Sequence, residues 1–163
     1  MRHIISLLLE NESGALSRVA NLFSARGYNI EALSVAPTDD DTVSRMTLVT
    51  RGTDEIIEQI SKQLNKLVDV IRLVDLTESN HIEREMMLLK VKIPDSNTAH
   101  LTQLTKIFRG TIIDASGLTY TVEVTGNGKK LDAFLDNMST YEIIEVVRSG
   151  PLGIGRGERA LHI

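Results

Sequence analysis

The sequence predicts an α+β fold built from two tandem βαββαβ units, each a ferredoxin-like split βαβ sandwich. Three observations carry that prediction. Short apolar runs rich in Ile, Leu and Val alternate with segments of helical periodicity in the order strand, helix, strand, strand, helix, strand. The same order recurs after a polar link at 77–85. The helix ends echo one another, "FSARGYNI" in the first half and "FRGTII" in the second, with Phe23 and Phe108 offset by 85 residues.

Each element has its own reason. "HIISLLL" (3–9) is apolar enough for a strand covered on both faces. A helix over roughly 14–26 carries Leu16, Val19, Ala20 and Phe23 at i, i+3, i+4 and i+7, with Ser13 as its N-cap and Gly27 as the residue that ends it. "NIEALSVAPT" (29–38) and "TVSRMTLVTR" (42–51) read as a hairpin across "DDDT", with Met46 and Leu48 on one face. A second helix over 53–67 buries Ile56, Ile57, Ile60 and Leu64, and "VDVIRLVDL" (68–76) closes the unit. In the second half come a strand at 86–93, a helix ending in "LTQLTKIF", a hairpin of 111–116 and 118–124 around Gly117, a helix at 127–141 and a strand at 142–149. The expected division is therefore 1–78, a link at 79–85, and 86–163, with a flexible tail from about 150. Units of about 75–80 residues sit near the lower limit for a self-sufficient core, and open sheets leave edge strands unpaired. Both facts point to association, most simply as a symmetric dimer.

Composition excludes several functions. The chain has 163 residues, a formal net charge of −4 and 4% aromatic residues, unlike the basic, aromatic-studded surface of a nucleic-acid binder. It has no Cys, so disulfides, thiolate metal sites and a Cys nucleophile are out, and a reducing cytoplasm suits it. "MRHIISLLLENE" meets Glu10 too early for a secretory signal, and no stretch approaches the ~20 apolar residues of a membrane span. His3, His81, His100 and His162 are scattered without metal-ligand spacing and read as ordinary polar or surface residues. Asp39-Asp40-Asp41 lacks the alternation of an EF-hand and reads as a solvated turn. Neither "TGNGKK" (125–130) nor "GPLGIGRGER" (150–159) matches a phosphate loop; the first reads as a strand-to-helix turn and the second as tail. No catalytic constellation and no metal site emerges.

One junction is over-supplied. "LLLENESGALSRV" (7–19) runs a strand into Glu10-Asn11-Glu12-Ser13-Gly14 and straight into a helix. The bland account is a capped helix start eased by Gly14. The functional account starts from the unpaired N–H groups and partial positive charge of a helix start, which favour a carboxylate. Gly14 removes a Cβ where that carboxylate would approach, and Asn11 can accept from an ammonium group. An α-amino acid carries both charges on one carbon. Asn29, opening the next strand in an apolar sheet, is a second polar group that invites a partner.

"LLLENESGALSRVANLFSARGYNIEALSVAPTDD" with "SRMT" after it resembles the N-terminal ACT domain of the regulatory (small) subunits of bacterial acetohydroxyacid synthase, also called acetolactate synthase. "NKLVDVIRL", "EREMMLLKV", "FRGTIIDAS", "KLDAFL" and "EVVRSGPLGIGRGE" extend the resemblance over nearly the whole chain. It implies an ACT domain followed by a ferredoxin-like C-terminal domain, and a subunit without an active site. It further implies a partner, the thiamine-diphosphate-dependent large catalytic subunit, which this chain would activate and place under feedback inhibition by valine. Thiamine diphosphate, Mg and FAD would belong to that catalytic subunit and no cofactor to this chain. The effector site would lie between the ACT domains of two protomers. Asn11, Glu12, Ser13, Gly14, Ala15 and Leu16 would come from one chain, and Asn29 and Ile30 from the other. Ala32 and the "NTAHLTQLTK" helix depart from the family pattern.

The reading is a non-catalytic, cytoplasmic regulatory subunit of branched-chain amino acid biosynthesis that forms a homodimer. Its rivals are a free-standing ACT-type amino-acid sensor serving another enzyme, and a metal- or nucleic-acid-binding ferredoxin-like module. The full second domain counts against the former; the histidine scatter and acidic balance count against the latter.

Overall fold

A computed structural model of the chain describes residues 1–163. They divide into two compact units, Met1–Ile82 with Pro151–Ile163, and Glu83–Gly150.

The first unit holds β1 (Arg2–Glu10), α1 (Ala15–Ala25), β2 (Ile30–Pro37), β3 (Val43–Arg51), α2 (Asp54–Leu64) and β4 (Val70–Asp75). The strands form one antiparallel sheet in the order β2-β3-β1-β4, the arrangement of a split βαβ sandwich. Alternation along β1 sends Ile5, Leu7 and Leu9 to the helix side, where they meet Val19 and Phe23 of α1, Met46 and Leu48 of β3, and Ile57, Ile60 and Leu64 of α2. The Thr53 hydroxyl accepts from the Ile56 N–H to cap α2, while Asp54 and Glu55 complement its dipole. Ile4 and Val49 face the other side, in a smaller cluster with Leu76. Both faces of β1 are thus covered, as its continuous apolar run requires.

Helix α1 departs from expectation. It starts at Ala15 behind Gly14, which sits at φ 90° and makes no side-chain cap, so Ser13 is not the N-cap. The buried stripe is Ala15, Val19 and Phe23, spaced i, i+4, i+8. Leu16 lies about 100° round the helix from Ala15 and is 44% exposed rather than buried.

The second unit repeats the plan with β5 (His81–Lys92, its first two residues counted with the first unit), α3 (Thr98–Ile107), β6 (Thr111–Ser116), β7 (Thr119–Gly126), α4 (Gly128–Met138) and β8 (Glu142–Arg148). A single 3-10 turn, Asp95–Asn97, leads into α3. The strand path is β6-β7-β5-β8. Met87, Leu89, Val91, Val122 and Val124 pack under Leu101, Leu131, Phe134 and Met138, with Phe108 edge-on to Phe134 at 5.2 Å between ring centroids. Asn127 Oδ1 accepts from the Lys130 N–H at 2.9 Å, so "TGNGKK" is a capped strand-to-helix turn.

Two stretches differ from the sequence reading. The polar link is shorter than 79–85, because β5 begins at His81. Its charged start is held by pairing rather than apolar burial: Arg148 Nε and Nη2 donate to the two oxygens of the nearly buried Glu85, both at 3.0 Å, and Nη1 donates to Asp132 at 2.7 Å. The tail from about 150 is not a free end. Residues 151–163 belong to the first unit, and Leu152–Gly155 forms β9. No helix is long and apolar enough to cross a membrane.

Candidate functional site

The Asn11–Gly14 loop is built where β1 leaves the sheet. Glu10 N donates to the Asp69 carbonyl at 2.9 Å and Asn11 N to the Thr42 carbonyl at 2.7 Å. Asn11 Nδ2 donates to the Asp41 carbonyl at 2.8 Å, which fixes the amide and leaves its Oδ1 as an acceptor. Ala15 N reaches the Glu12 carbonyl at 3.3 Å and Arg18 N the Gly14 carbonyl at 3.0 Å. No side chain caps the helix, so first-turn donors are left for another acceptor.

Arg18 underpins this corner. Its Nε and Nη2 both donate to Asp69, the second at 2.9 Å, in a bidentate pair whose carboxylate is 3% exposed. That hydrogen bonding holds the Asp69 carboxyl below the usual carboxylate range and raises Arg18. A Cβ on Gly14 would lie 2.9 Å from Arg18 Nη1, the movable end of a flexible side chain, so the positive φ is what calls for glycine. Carboxylate oxygens of Glu10 and Glu12 lie within 4.8 Å of one another and of Asp69. An open cavity of about 390 Å³ borders the loop, lined by Glu10, Asn11, Glu12, Asp41, Thr42, Val43 and Ile71. The corner is bipolar, with uncapped N–H groups and Arg18 on the helix side and carboxylates on the strand side. That pattern complements a zwitterion better than a simple anion.

Asn11, Glu12 and Ser13 are exposed, Gly14 half-buried and Ala15 buried beneath them. Asn29 and Ile30 are not brought to this corner. The Asn29 carbonyl accepts from Thr50 Oγ1 at 2.7 Å, and Thr50 pairs with His3 at the opposite end of β1. From Thr42 to Thr50, at ~3.3 Å per residue, the two groups stand roughly 26 Å apart in one chain.

Other expectations fare unevenly. Asp40 accepts from Thr42 N at 2.9 Å and Thr42 Oγ1 at 2.6 Å, which depresses its carboxyl and closes the turn. His3 is not a surface residue. It is 3% exposed, with Nδ1 at 3.3 Å from Asp75 and Nε2, which lacks a hydrogen bond, at 3.7 Å from Asp54. The sequence reading missed Arg18 and Asp69, whose partnership across 51 positions has no local signal.

Residues 5–72 match the family described as AHAS small subunit-like ACT domain, and residues 84–157 the family described as small subunit of acetolactate synthase. The chain is 53% identical to the acetolactate synthase isozyme 3 small subunit of Escherichia coli, over 99% of this chain and 100% of that one. The chain belongs to the acetolactate synthase small-subunit family. It is 54% identical to the small subunit from Buchnera aphidicola subsp. Schizaphis graminum, over 96% and 100% of the two chains. The crystal structure of the Thermotoga maritima small subunit matches with a TM-score of 0.89 at 36% identity, covering 98% of this chain and 99% of that one. As a member of this family the chain is a regulatory rather than a catalytic subunit.

Proposed function

We propose that this chain joins the thiamine-diphosphate-dependent catalytic subunit of acetolactate synthase in the cytoplasm, raises its activity, and carries feedback inhibition by valine. The reaction controlled is condensation of two pyruvates, or of pyruvate with 2-oxobutyrate, and its cofactors lie on the catalytic subunit. One observation carries the effector site: the uncapped helix start at Gly14 with Arg18 beneath it and the Glu10 and Glu12 carboxylates beside it. The valine carboxylate meets the helix-start N–H groups of Gly14 and Leu16, with Ala15 between them. Its ammonium meets Asn11 Oδ1 and Glu12, with Ser13 as a further hydroxyl at the mouth.

Asn29 and Ile30 complete the site from a second chain, a reading consistent with their separation of roughly 26 Å from Asn11 within one chain. Exposed Leu16 and the half-exposed Val35 on edge strand β2 supply apolar surface for that dimer. The match to small subunits over their whole length disfavours a free-standing sensor.

The test is reconstitution. Alone, the chain forms no acetolactate; with the catalytic subunit it raises the rate, and valine reverses part of the gain. Valine can act only by binding one arrangement of the pair better than another. Calorimetric titration with valine, leucine and isoleucine ranks the effectors, since one methylene in an apolar pocket changes binding by ~1–3 kcal/mol. A chain that binds none of the three, or that leaves the catalytic rate unchanged, overturns the reading.

A further inference from the structure

The glycine-rich stretch "GPLGIGRGER" (150–159) plays no part in the effector site, yet the structure gives it a specific seat. Gly153 is buried against the far side of the first sheet, where a Cβ would lie 2.8 Å from Leu76 Cδ1 and 3.1 Å from Ile4 Cδ1. A Cβ on Gly155 would lie 2.9 Å from the Arg159 carbonyl oxygen. These glycines permit close approach; they do not signal looseness. Polar contacts fix the same seat. Arg45 Nη2 donates to the Gly153 carbonyl at 2.9 Å while its Nε donates to Ser6 Oγ at 3.1 Å, and Gly153 N donates to Thr47 Oγ1 at 3.4 Å. Arg45 is half-buried with no carboxylate in its hydrogen bonds, so its charge is committed to this carbonyl.

The seating changes the topology. The second unit is an insertion whose chain leaves the first unit at Ile82 and returns to it at Pro151. On the first-unit side, Arg156 N donates to the Asn80 carbonyl at 2.9 Å. On the second-unit side, Ser149 N donates to the Met86 carbonyl and Met86 N to Ser149 Oγ, both at 3.0 Å. The Arg148–Glu85 pair lies next to that tie. Both crossings are therefore tied together on each side of the boundary.

We propose that the tail is a regulatory strap: seated on the first sheet by Arg45, Thr47 and the Gly153 approach, it is the second connection through which the effector-bound state of that sheet reaches the inserted unit. The proposal rests on the effector reading above. Thr47 and Arg45 lie on β3, the strand whose ends adjoin both halves of the effector site, Asn11 through Thr42 and Asn29 through Thr50. A ligand that shifts β3 shifts the strap.

The test uses full chains assembled with the catalytic subunit. One variant carries Arg45→Gln with Thr47→Val; another ends at Gly150. For each, hydrogen exchange reads the tail where it is present, calorimetry reads valine binding, and acetolactate formation is measured with and without saturating valine. Released straps should bind valine within a few-fold of wild type and still activate the catalytic subunit. The valine effect, ~5- to 150-fold in a typical coupled pair, should fall towards unity. In the first variant, amides of residues 152–156 should lose protection. Full valine inhibition by either variant, or a wild-type tail that exchanges like a free peptide, overturns the strap. Wild-type chain that does not bind valine instead overturns the effector reading beneath it. Should the shortened chain lose its cooperative unfolding transition, the double substitution decides alone.

Discussion

Gly14→Asp is the sharpest perturbation of the proposed effector corner, and the structure says what must be subtracted from its effect. Gly14 sits at φ 90°, where an L-residue costs about 1–2 kcal/mol of folding stability. A Cβ there also meets Arg18 Nη1 at 2.9 Å, though the end of a flexible side chain can give way. Gly14→Ala carries both penalties without charge, so the comparison of Asp with Ala isolates electrostatics. A carboxylate ~4 Å from the effector carboxylate, at an effective dielectric of ~20, repels it by about 4 kcal/mol, near a thousandfold in affinity. Arg18 stands close enough to offset part of this, so roughly a hundredfold separation of the two variants is expected. Calorimetry with valine measures it, and urea unfolding of each variant verifies the shared stability cost. Asp and Ala variants that bind valine equally would refute the placement of the carboxylate at Gly14.

Three further outcomes follow from the geometry. Mixed dimers carrying Asn11→Ala on one chain and Asn29→Ala on the other should keep one of two sites at wild-type affinity, because both lesions fall in one site. Placing both changes on one chain should weaken each site by ~1–3 kcal/mol, and identical isotherms for the two dimers would exclude a shared site. The Asp69 carboxyl is held below its ordinary range by Arg18, so its stabilisation is present above about pH 4 and is lost as pH falls through the depressed value. Asp69→Asn should therefore be less stable at neutral pH and show a flatter loss on acidification; urea midpoints measured from pH 6 downwards would detect an unchanged slope. Thr53→Ala removes the α2 cap and should cost about 0.5–1 kcal/mol in the same assay, with valine affinity unchanged.

The repeated βαββαβ order was legible because it rests on local periodicity. Ile5, Leu7 and Leu9 alternate in the core as a period of two dictates, and Ile57, Ile60 and Leu64 fall on one helical stripe. Most of what failed depended on a partner distant in sequence. Glu85 reads as linker until Arg148 pairs with it. The run from Gly150 reads as loose because glycine is ambiguous in one dimension: it marks freedom or close approach, and only Leu76 and Ile4 tell which. Ser13 looked like a cap because its chemistry suits one, yet the left-handed Gly14 takes the N-cap position and the helix starts a residue later.

That one-residue displacement bears on the site itself. Starting α1 at Ala15 gives the core to Ala15, Val19 and Phe23 and turns Leu16 outward, beside the glycine and the uncapped donors. In the proposed dimer, the 44% exposed Leu16 would supply an apolar contact beside the uncapped donors, where the neighbour contributes Asn29 and Ile30. Asn29 meanwhile has its carbonyl fixed by Thr50 at the far end of the sheet and its side chain exposed. Two half-sites at opposite ends of one sheet cannot meet within a chain; in the dimer proposed above, a two-fold axis would bring each to the other twice. Occupancy of such a site reports on the dimer and not on the protomer, so an effector bound there acts on whatever the dimer's arrangement controls.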